Sequence, residues 1–323
     1  MAIFNAFIKP ASLGLWIYSA GSFLLLILPA PADPDRLAHR DLADLSGPVK
    51  TVRLEESWYS QEGKEWREGV ASPVSDCTFS REGIMTERVD YSGTDLVTAR
   101  FYRETGADGR VSSEFKYLAD GRLLEKVEYR YDDAGRVIQK DTCGADGAPR
   151  LSEQYVYNEN GTRAEEHESD AKGLKRKRIY QYDEQGRPAE YVDSNAQGEV
   201  LIREQHQYDD QGRPVRSFLL NQDGEVAAYW LHAYDGAGRV AEVRAYTKAR
   251  GLEMLRAYAY DAHGRLADLR VYGIDNHFIS REMYDYEYDH RGNWIQRKDW
   301  SARENERYKT PVRVLHRTIE YFE

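Results

Sequence analysis

From residue 129 to 292 the chain alternates apolar or aromatic residues with polar ones, and Asp/Asn-x-x-Gly phrases cut it at short, regular intervals. A period of two marks strands with two distinct faces, and a 3.6-residue helical period is scarce. The cuts recur every 12 to 14 residues, as at Asp183–Gly186, Asn195–Gly198, Asp209–Gly212 and Asn221–Gly224. Asp or Asn opens a type I turn by accepting backbone N–H bonds, and Gly takes the left-handed position that follows. Such a turn closes a hairpin with a G1 bulge and leaves about 8 to 10 residues, roughly 30 Å, for each strand. The pattern predicts an all-β protein, a continuous antiparallel meander of about 16 or more strands. Degraded copies at Ser80–Gly83, Gly106–Gly109 and Leu118–Gly121 carry it upstream.

Every second turn belongs to a longer phrase, written in full at Tyr129-x-Tyr131-Asp132-x-x-Gly135-Arg136, Tyr180–Arg187 and Tyr258–Arg265. Its second tyrosines, Tyr131, Tyr157, Tyr182, Tyr208, Tyr234, Tyr260 and Tyr288, are spaced by 26, 25, 26, 26, 26 and 28 residues, the signature of a repeat architecture. The hairpin rule pairs Asp183 with Arg187, Tyr182 with Pro188, Tyr180 with Glu190 and His232 with Glu242. It also pairs Ala233 with Ala241, Leu255 with Val271, Tyr234 with Val240 and Tyr260 with Leu266. One face is then small and aliphatic, the other rich in Tyr, Trp230, Arg and His. Burying the aliphatic face calls for a curled or spiralling sheet.

Composition sharpens this picture in three places. Net charge is −10 across 323 residues, which argues against a nucleic-acid partner. Residues 1–32 place Lys9 before an apolar stretch, Ala11 to Leu28, and end on Ala30-Pro-Ala32. They read as a signal peptide with a mature start near Asp33, or as an uncleaved membrane anchor, which would be the only membrane contact. The remaining chain divides into divergent strands at 33–128, regular repeats at 129–292 and capping strands at 293–323. Cys77 and Cys143 either form a disulfide in an oxidising compartment or remain two half-buried thiols.

Candidate chemistry is sparse. Asp132, Asp183, Asp209, Asp235, Asp261 and Asp289 all hold the same turn position, whereas catalysis needs an asymmetric group of residues. His-x-x-x-His pairs, nucleophile elbows and phosphate loops are absent from the sequence, so no enzyme, metal or cofactor is expected. The candidate binding surface is the first aromatic position: Tyr129, Tyr155, Tyr180, Trp230, Tyr258 and Tyr286. These rings fall on every second strand, roughly 10 Å apart, interleaved with charged residues, and suit a sugar chain or an extended peptide. The alternative role for them is cross-strand ladders that stabilise the sheet.

The phrase Tyr-x-Tyr-Asp-x-x-Gly-Arg resembles the YD repeat of RHS (rearrangement hotspot) and teneurin-type proteins, well over 129–292 and in degraded form over 79–128. Leu45–Val52 and the ending from Tyr286 to Tyr321 are similar to the first and last units of short, secreted bacterial RHS-like proteins. The resemblance implies hairpin strips and an extracytoplasmic setting, whether periplasmic, cell-surface or secreted. Large members wind into hollow shells and carry an Asp-Pro-x-Gly core signature before a toxin. Here Asp-Pro occurs only at Asp33-Pro34, so toxin delivery is not implied, and the strands look too few to close a shell. The expected role is non-enzymatic, structural or binding, at the cell envelope, with an envelope glycan as ligand. The alternative is an accessory or remnant of a polymorphic toxin system that binds a partner protein.

Overall fold

The turn phrases fold as their chemistry dictates. Asp183 N–H donates to Arg187 O (2.9 Å), Gly186 N–H donates to Asp183 O (2.9 Å), and Gly186 sits at φ +76°. The degraded phrases make the same turn, with Gly83, Gly109 and Gly121 each donating to the residue three before it at 3.0 Å. A computed structural model describes residues 45–93, 95–303 and 309–323. The signal or anchor segment 1–32 and the start at Asp33 lie outside the described residues. The described chain forms 21 strands, from β1 (Val49–Glu62) to β21 (Thr310–Tyr321).

Register departs from the simple hairpin by one residue beside each turn of the repeats. Tyr182 pairs with Pro188, Tyr234 with Val240 and Tyr260 with Leu266, as the turn requires. One step further, Gln181 pairs with Glu190, so Ala189 is an extra residue. Ala241 and Ala267 are extra in the same way. These β-bulges exchange the faces of the following strand. Tyr180 therefore faces Tyr191 rather than Glu190, and His232 faces Val243 rather than Glu242. Ala233 faces Glu242, and Leu255 faces Tyr272. The expected wholly aliphatic face does not exist, because the bulge deals Val243 and Leu269 onto the aromatic face and leaves Ala233 and Ala259 exposed on the other.

The sheet also closes. β21 pairs with β1 from Val49↔Tyr321 to Trp58↔Arg313, and β1 pairs with β3 (Ser72–Phe79). A curled or spiralling open sheet was expected; the strands instead form a closed barrel of 20, with β2 (Glu65–Glu68) outside it as a flap on the far half of β1. Twenty strands about 4.8 Å apart give a round barrel about 30 Å across or more. Leu45, Val49, Val52 and Phe79 form a buried cluster at this seam, with Cys77, Met85, Ile319 and Tyr321 packed against it. Asn293, fully buried, replaces the arginine of the last phrase. Its Oδ1 accepts from Ser46 N–H (2.6 Å), and its Nδ2 donates to Ser46 O (2.8 Å) and Tyr321 Oη (2.7 Å). One side chain thus ties the last repeat to both chain segments that meet at the seam.

Between repeats the second tyrosine makes a clasp. Tyr234 Oη donates to Pro214 O (2.6 Å), and its ring lies under Arg213, whose guanidinium carbon is 4.5 Å from the centroid. Arg213 Nε donates in turn to Asp209 of its own turn (2.7 Å). The same set joins Arg136 to Tyr157, Arg187 to Tyr208 and Arg239 to Tyr260, at 4.5 to 4.6 Å. The N–H of the following arginine, and then its side chain, hold the Asp209 and Asp235 carboxyls below the usual range. Where Thr162 replaces the arginine, Tyr182 still donates to Arg163 O (2.6 Å).

Cys77 and Cys143 are both free. Cys143 on β8 (Val137–Gly144) continues through Lys126, Phe115, Tyr102 and Glu87 to Thr78, the neighbour of Cys77. The two thiols therefore share a row but point to opposite faces. They are five strands, or about 24 Å, apart. A disulfide needs Cα atoms within about 7 Å, so the pairing is not made.

Two stability predictions follow from the clasp and the seam. Tyr234→Phe keeps the ring but strands the Pro214 carbonyl, and should cost about 1 kcal/mol in urea unfolding. Asn293→Leu removes the three hydrogen bonds that the fully buried side chain makes to Ser46 and Tyr321 and should cost about 2 to 4 kcal/mol. It should also speed hydrogen exchange along β1 and β21 more than along the mid-barrel strands. Uniform exchange changes would show that Asn293 does not hold the seam.

Candidate functional site

All six predicted rings lie on one face. The register carries Tyr129 through Lys140 to Glu153, two residues from Tyr155, and Tyr155 through Glu166 to Arg178, two residues from Tyr180. It continues from Tyr191 through Glu204, His206 and Ser217 to Trp230, and on to Tyr258 and Tyr286. This face holds the buried polar side chains Asp193, Ser217 and Glu204, at 0%, 3% and 5% exposure, whereas Ile179 and Val156 on the other face are exposed. We identify it as the inner, concave face. The six rings are half-buried there.

Their partners differ from the expected uniform charge. Tyr129, Tyr155 and Tyr286 pair with Lys140, Glu166 and Arg297, but Tyr180 pairs with Tyr191, Trp230 with Ala245 and Tyr258 with Leu269. Several hydroxyls are committed within the wall: Tyr129 Oη donates to Glu114 (3.0 Å) and Tyr180 Oη to Glu166 (2.9 Å). What these two offer a ligand is the ring. Tyr286 stands apart, because its Oη donates to Leu266 O (3.0 Å), 20 residues back, as Tyr234 does to Pro214. The 28-residue final step moves the phrase along by two residues, so Tyr286 takes the clasp position. Tyr288 bonds Asp261 instead.

A run of buried polar groups on the inner face spans β11 (Gly173–Tyr182), β12 (Pro188–Asn195), β13 (Val200–Tyr208), β14 (Pro214–Leu220) and β15 (Val226–Tyr234). Asp193 is gripped by Arg178 through Nε (2.6 Å) and Nη2 (2.9 Å), and by Arg176. Burial raises its pKa, but the two guanidiniums outweigh it and hold the carboxyl low. Glu204, opposite Tyr191, accepts a hydrogen bond from its hydroxyl but none from a guanidinium; burial outweighs this and pushes it up to about 7. Burial and His232 push His206 down to about 4, and burial lowers His232 as well. Both imidazoles are therefore neutral near pH 7.

Sequence reading did not single out Glu204, Tyr191 or Asp193. Two-residue steps back from Tyr208 reach His206 and Glu204, so that signal was present. Tyr191 and Asp193 lie beyond the bulge at Ala189, where unbroken alternation puts them on the wrong face. Among the described residues no group of three or more His, Cys, Asp or Glu is placed to hold a metal.

The raised Glu204 has a thermodynamic signature. Its folded pKa exceeds its unfolded one, so its stabilising contribution is complete below about pH 4 and is lost as pH rises through about 7. Glutamine stays neutral. Glu204→Gln should therefore match the native barrel near pH 4.5 and exceed it at pH 8 by about 3 kcal/mol. Parallel urea-midpoint profiles for the two proteins from pH 4.5 to 8 would contradict a buried, strained carboxylate.

No protein-family model and no curated protein matches the chain. Among solved structures it is similar to the TcdB2-TccC3-Cdc42 complex, at 14% identity and a TM-score of 0.41 over 79% of this chain and 14% of that one. The Photorhabdus luminescens Tc holotoxin pore gives 12% identity and a TM-score of 0.35, over 76% of this chain and 16% of that one. A porin-like protein from Bacteroides uniformis gives 12% identity and a TM-score of 0.34, over 85% of this chain and 98% of that one. The chain thus spans about a seventh of the first two structures, and partial likenesses of this size decide neither family nor function.

Proposed function

We propose that this chain is an extracytoplasmic barrel of RHS/YD-repeat type with a non-enzymatic binding role at the cell envelope, and that its inner face takes a carbohydrate chain. The observation that carries the reading is the series of half-buried rings on alternate inner-face strands, Tyr129, Tyr155, Tyr180, Trp230 and Tyr258, with the His206 imidazole taking the β13 place between Tyr180 and Trp230 and charged groups between them. Rings stack on the apolar faces of sugars while charged groups orient hydroxyls, and a regular spacing suits a polymer.

The outer face argues against a lipid-spanning role. Lys177, Arg203, Arg216, Arg244, Arg270 and Lys298 occupy mid-strand positions on it. Each would cost about 2 to 4 kcal/mol at a bilayer midplane. The N-terminal apolar segment supports export or anchoring.

A second reading, a partner-protein role in a toxin system, is favoured by the outer surface. Ile138, Val156 and Ile179 are exposed there. A groove of about 280 Å³ lies between Arg244, Tyr246, Leu252, Leu255, Tyr272 and Asn276.

A glycan array probed with the full chain and with a Tyr180→Ala/Trp230→Ala/Tyr258→Ala variant separates the two. Specific glycan binding lost in the variant is the expected result. Absence of glycan binding, with a partner protein captured through the outer face, would favour the second reading. Hydrolysis of a polysaccharide by the pure protein would overturn the non-enzymatic assignment.

A further inference from the structure

Most inner-face carboxylates described above are met within the wall: Asp193 by two arginines, Glu114 by Arg103 and Tyr129, Glu166 by Tyr180. Glu204 is met only in part: the Tyr191 hydroxyl donates to its carboxyl group, and no guanidinium bonds it. Glu204 is 5% exposed, and its Oε2 has no hydrogen-bond partner. Across the sheet it faces Tyr191 on one side and Leu219 on the other. Two residues along β13, His206 Nδ1 lies 3.1 Å from Ser217 Oγ, and Ser217 pairs with Trp230. Two residues beyond Trp230, His232 has a buried Nε2 that also lacks a partner. Rings bound the patch, with Tyr180 6.3 Å from Tyr191 and Tyr191 6.4 Å from His206.

We propose that Tyr191, Glu204, His206, Ser217, Trp230 and His232 form a subsite for neighbouring neutral, hydroxyl-bearing sugar units, with Glu204 as its hydrogen-bond anchor and Trp230 as its stacking face. The inference rests on the binding role proposed above and names where and how a short stretch of the sugar chain is read. The formal charges around the patch, Arg176 and Arg178 against Asp193 and ionised Glu204, cancel, so nothing recruits an ion. The unmet atoms are an acceptor carboxyl oxygen and a neutral imidazole nitrogen. Sugar hydroxyls, which both donate and accept, satisfy both kinds of atom, and the offset of two strands and four residues between Glu204 and His232 calls for hydroxyls of neighbouring sugar units. Buried polar atoms prepared for a ligand's hydroxyls discriminate strongly against ligands lacking them.

The arrangement sets a direction with pH. Facing Glu204 are Tyr191 and Asp193 from β12, Arg178 from β11, His206 on its own strand, and Leu219 and Ser217 from β14. Burial raises the Tyr191 pKa, Asp193 is held low, Arg178 is held high and His206 stays neutral above about 4. Between pH 6 and 8 the group that changes charge is Glu204, with its pKa near 7. Hydroxyls donating to it favour the carboxylate, so affinity should rise about tenfold from pH 6 to pH 8.

The test is isothermal titration of the full chain with cellohexaose, chitohexaose and maltohexaose at pH 6, 7 and 8. At least one should bind the native chain, more tightly at higher pH. Glu204→Gln should weaken that binding at least tenfold at pH 8 and flatten its pH dependence, while the outer-face control Lys177→Ala leaves both unchanged. Native-like binding and pH dependence in Glu204→Gln would overturn the subsite. If the Tyr180→Ala/Trp230→Ala/Tyr258→Ala variant still lost binding, the broader reading would stand. If none of the three oligosaccharides bound the native chain, both would fall.

Discussion

The bond on which the repeat array depends is a tyrosine hydroxyl reaching back 20 residues to a backbone carbonyl. In Tyr157, Tyr208, Tyr234 and Tyr260 this bond comes with an arginine over the ring, and that arginine is tied to the aspartate of its own turn. Each repeat thereby fixes the next at one end of the barrel. A sheet one layer thick cannot rely on a large core, since a side chain on either face has neighbours on one side only. Ring stacking and a charge-assisted bond at each turn supply the rigidity that layer packing supplies elsewhere. The bulge beside the turn belongs to the same device. It sits next to the residue whose carbonyl receives the tyrosine, and a proline such as Pro188 is tolerated there.

Repetition builds the wall, and departures from it mark what is individual. Asn293 replaces the arginine of the last phrase, and the exchange turns a clasp residue into the pin of the seam. The longer final step slides Tyr286 into a clasp position, so a residue that looks like the other first aromatics does a different job. Glu204 and His232 break the pattern in another way, with buried polar atoms that the wall does not satisfy. A barrel of identical repeats would have a uniform interior; this one has a distinct polar patch over β11 to β15.

Much of the architecture was legible because turn chemistry is local. Asp183 and Gly186 specify their turn without help from distant residues, and so do the degraded copies at Ser80–Gly83 and Gly106–Gly109. The strand count of 16 or more, the antiparallel meander and the shared face of the six rings all follow from turns plus alternation. The register beyond Ala189 was not legible, because a bulge inserts one residue without any mark in the alternation. That single residue decided that Tyr180 meets Tyr191 and that the aliphatic positions divide between two faces.

Closure was the other matter the chain kept to itself. Val49 and Tyr321 pair across almost the whole length of the sequence, and no local rule distinguishes an edge that stays open from one that meets its opposite. By itself the sequence determined the repeating unit, its turns and the common side of its aromatics, since those depend on neighbours within one hairpin. Tertiary structure decided that this side faces inward, that the two cysteines point apart and that Glu204 is buried. Each of those depends on accumulated twist and on strands brought together from far along the chain.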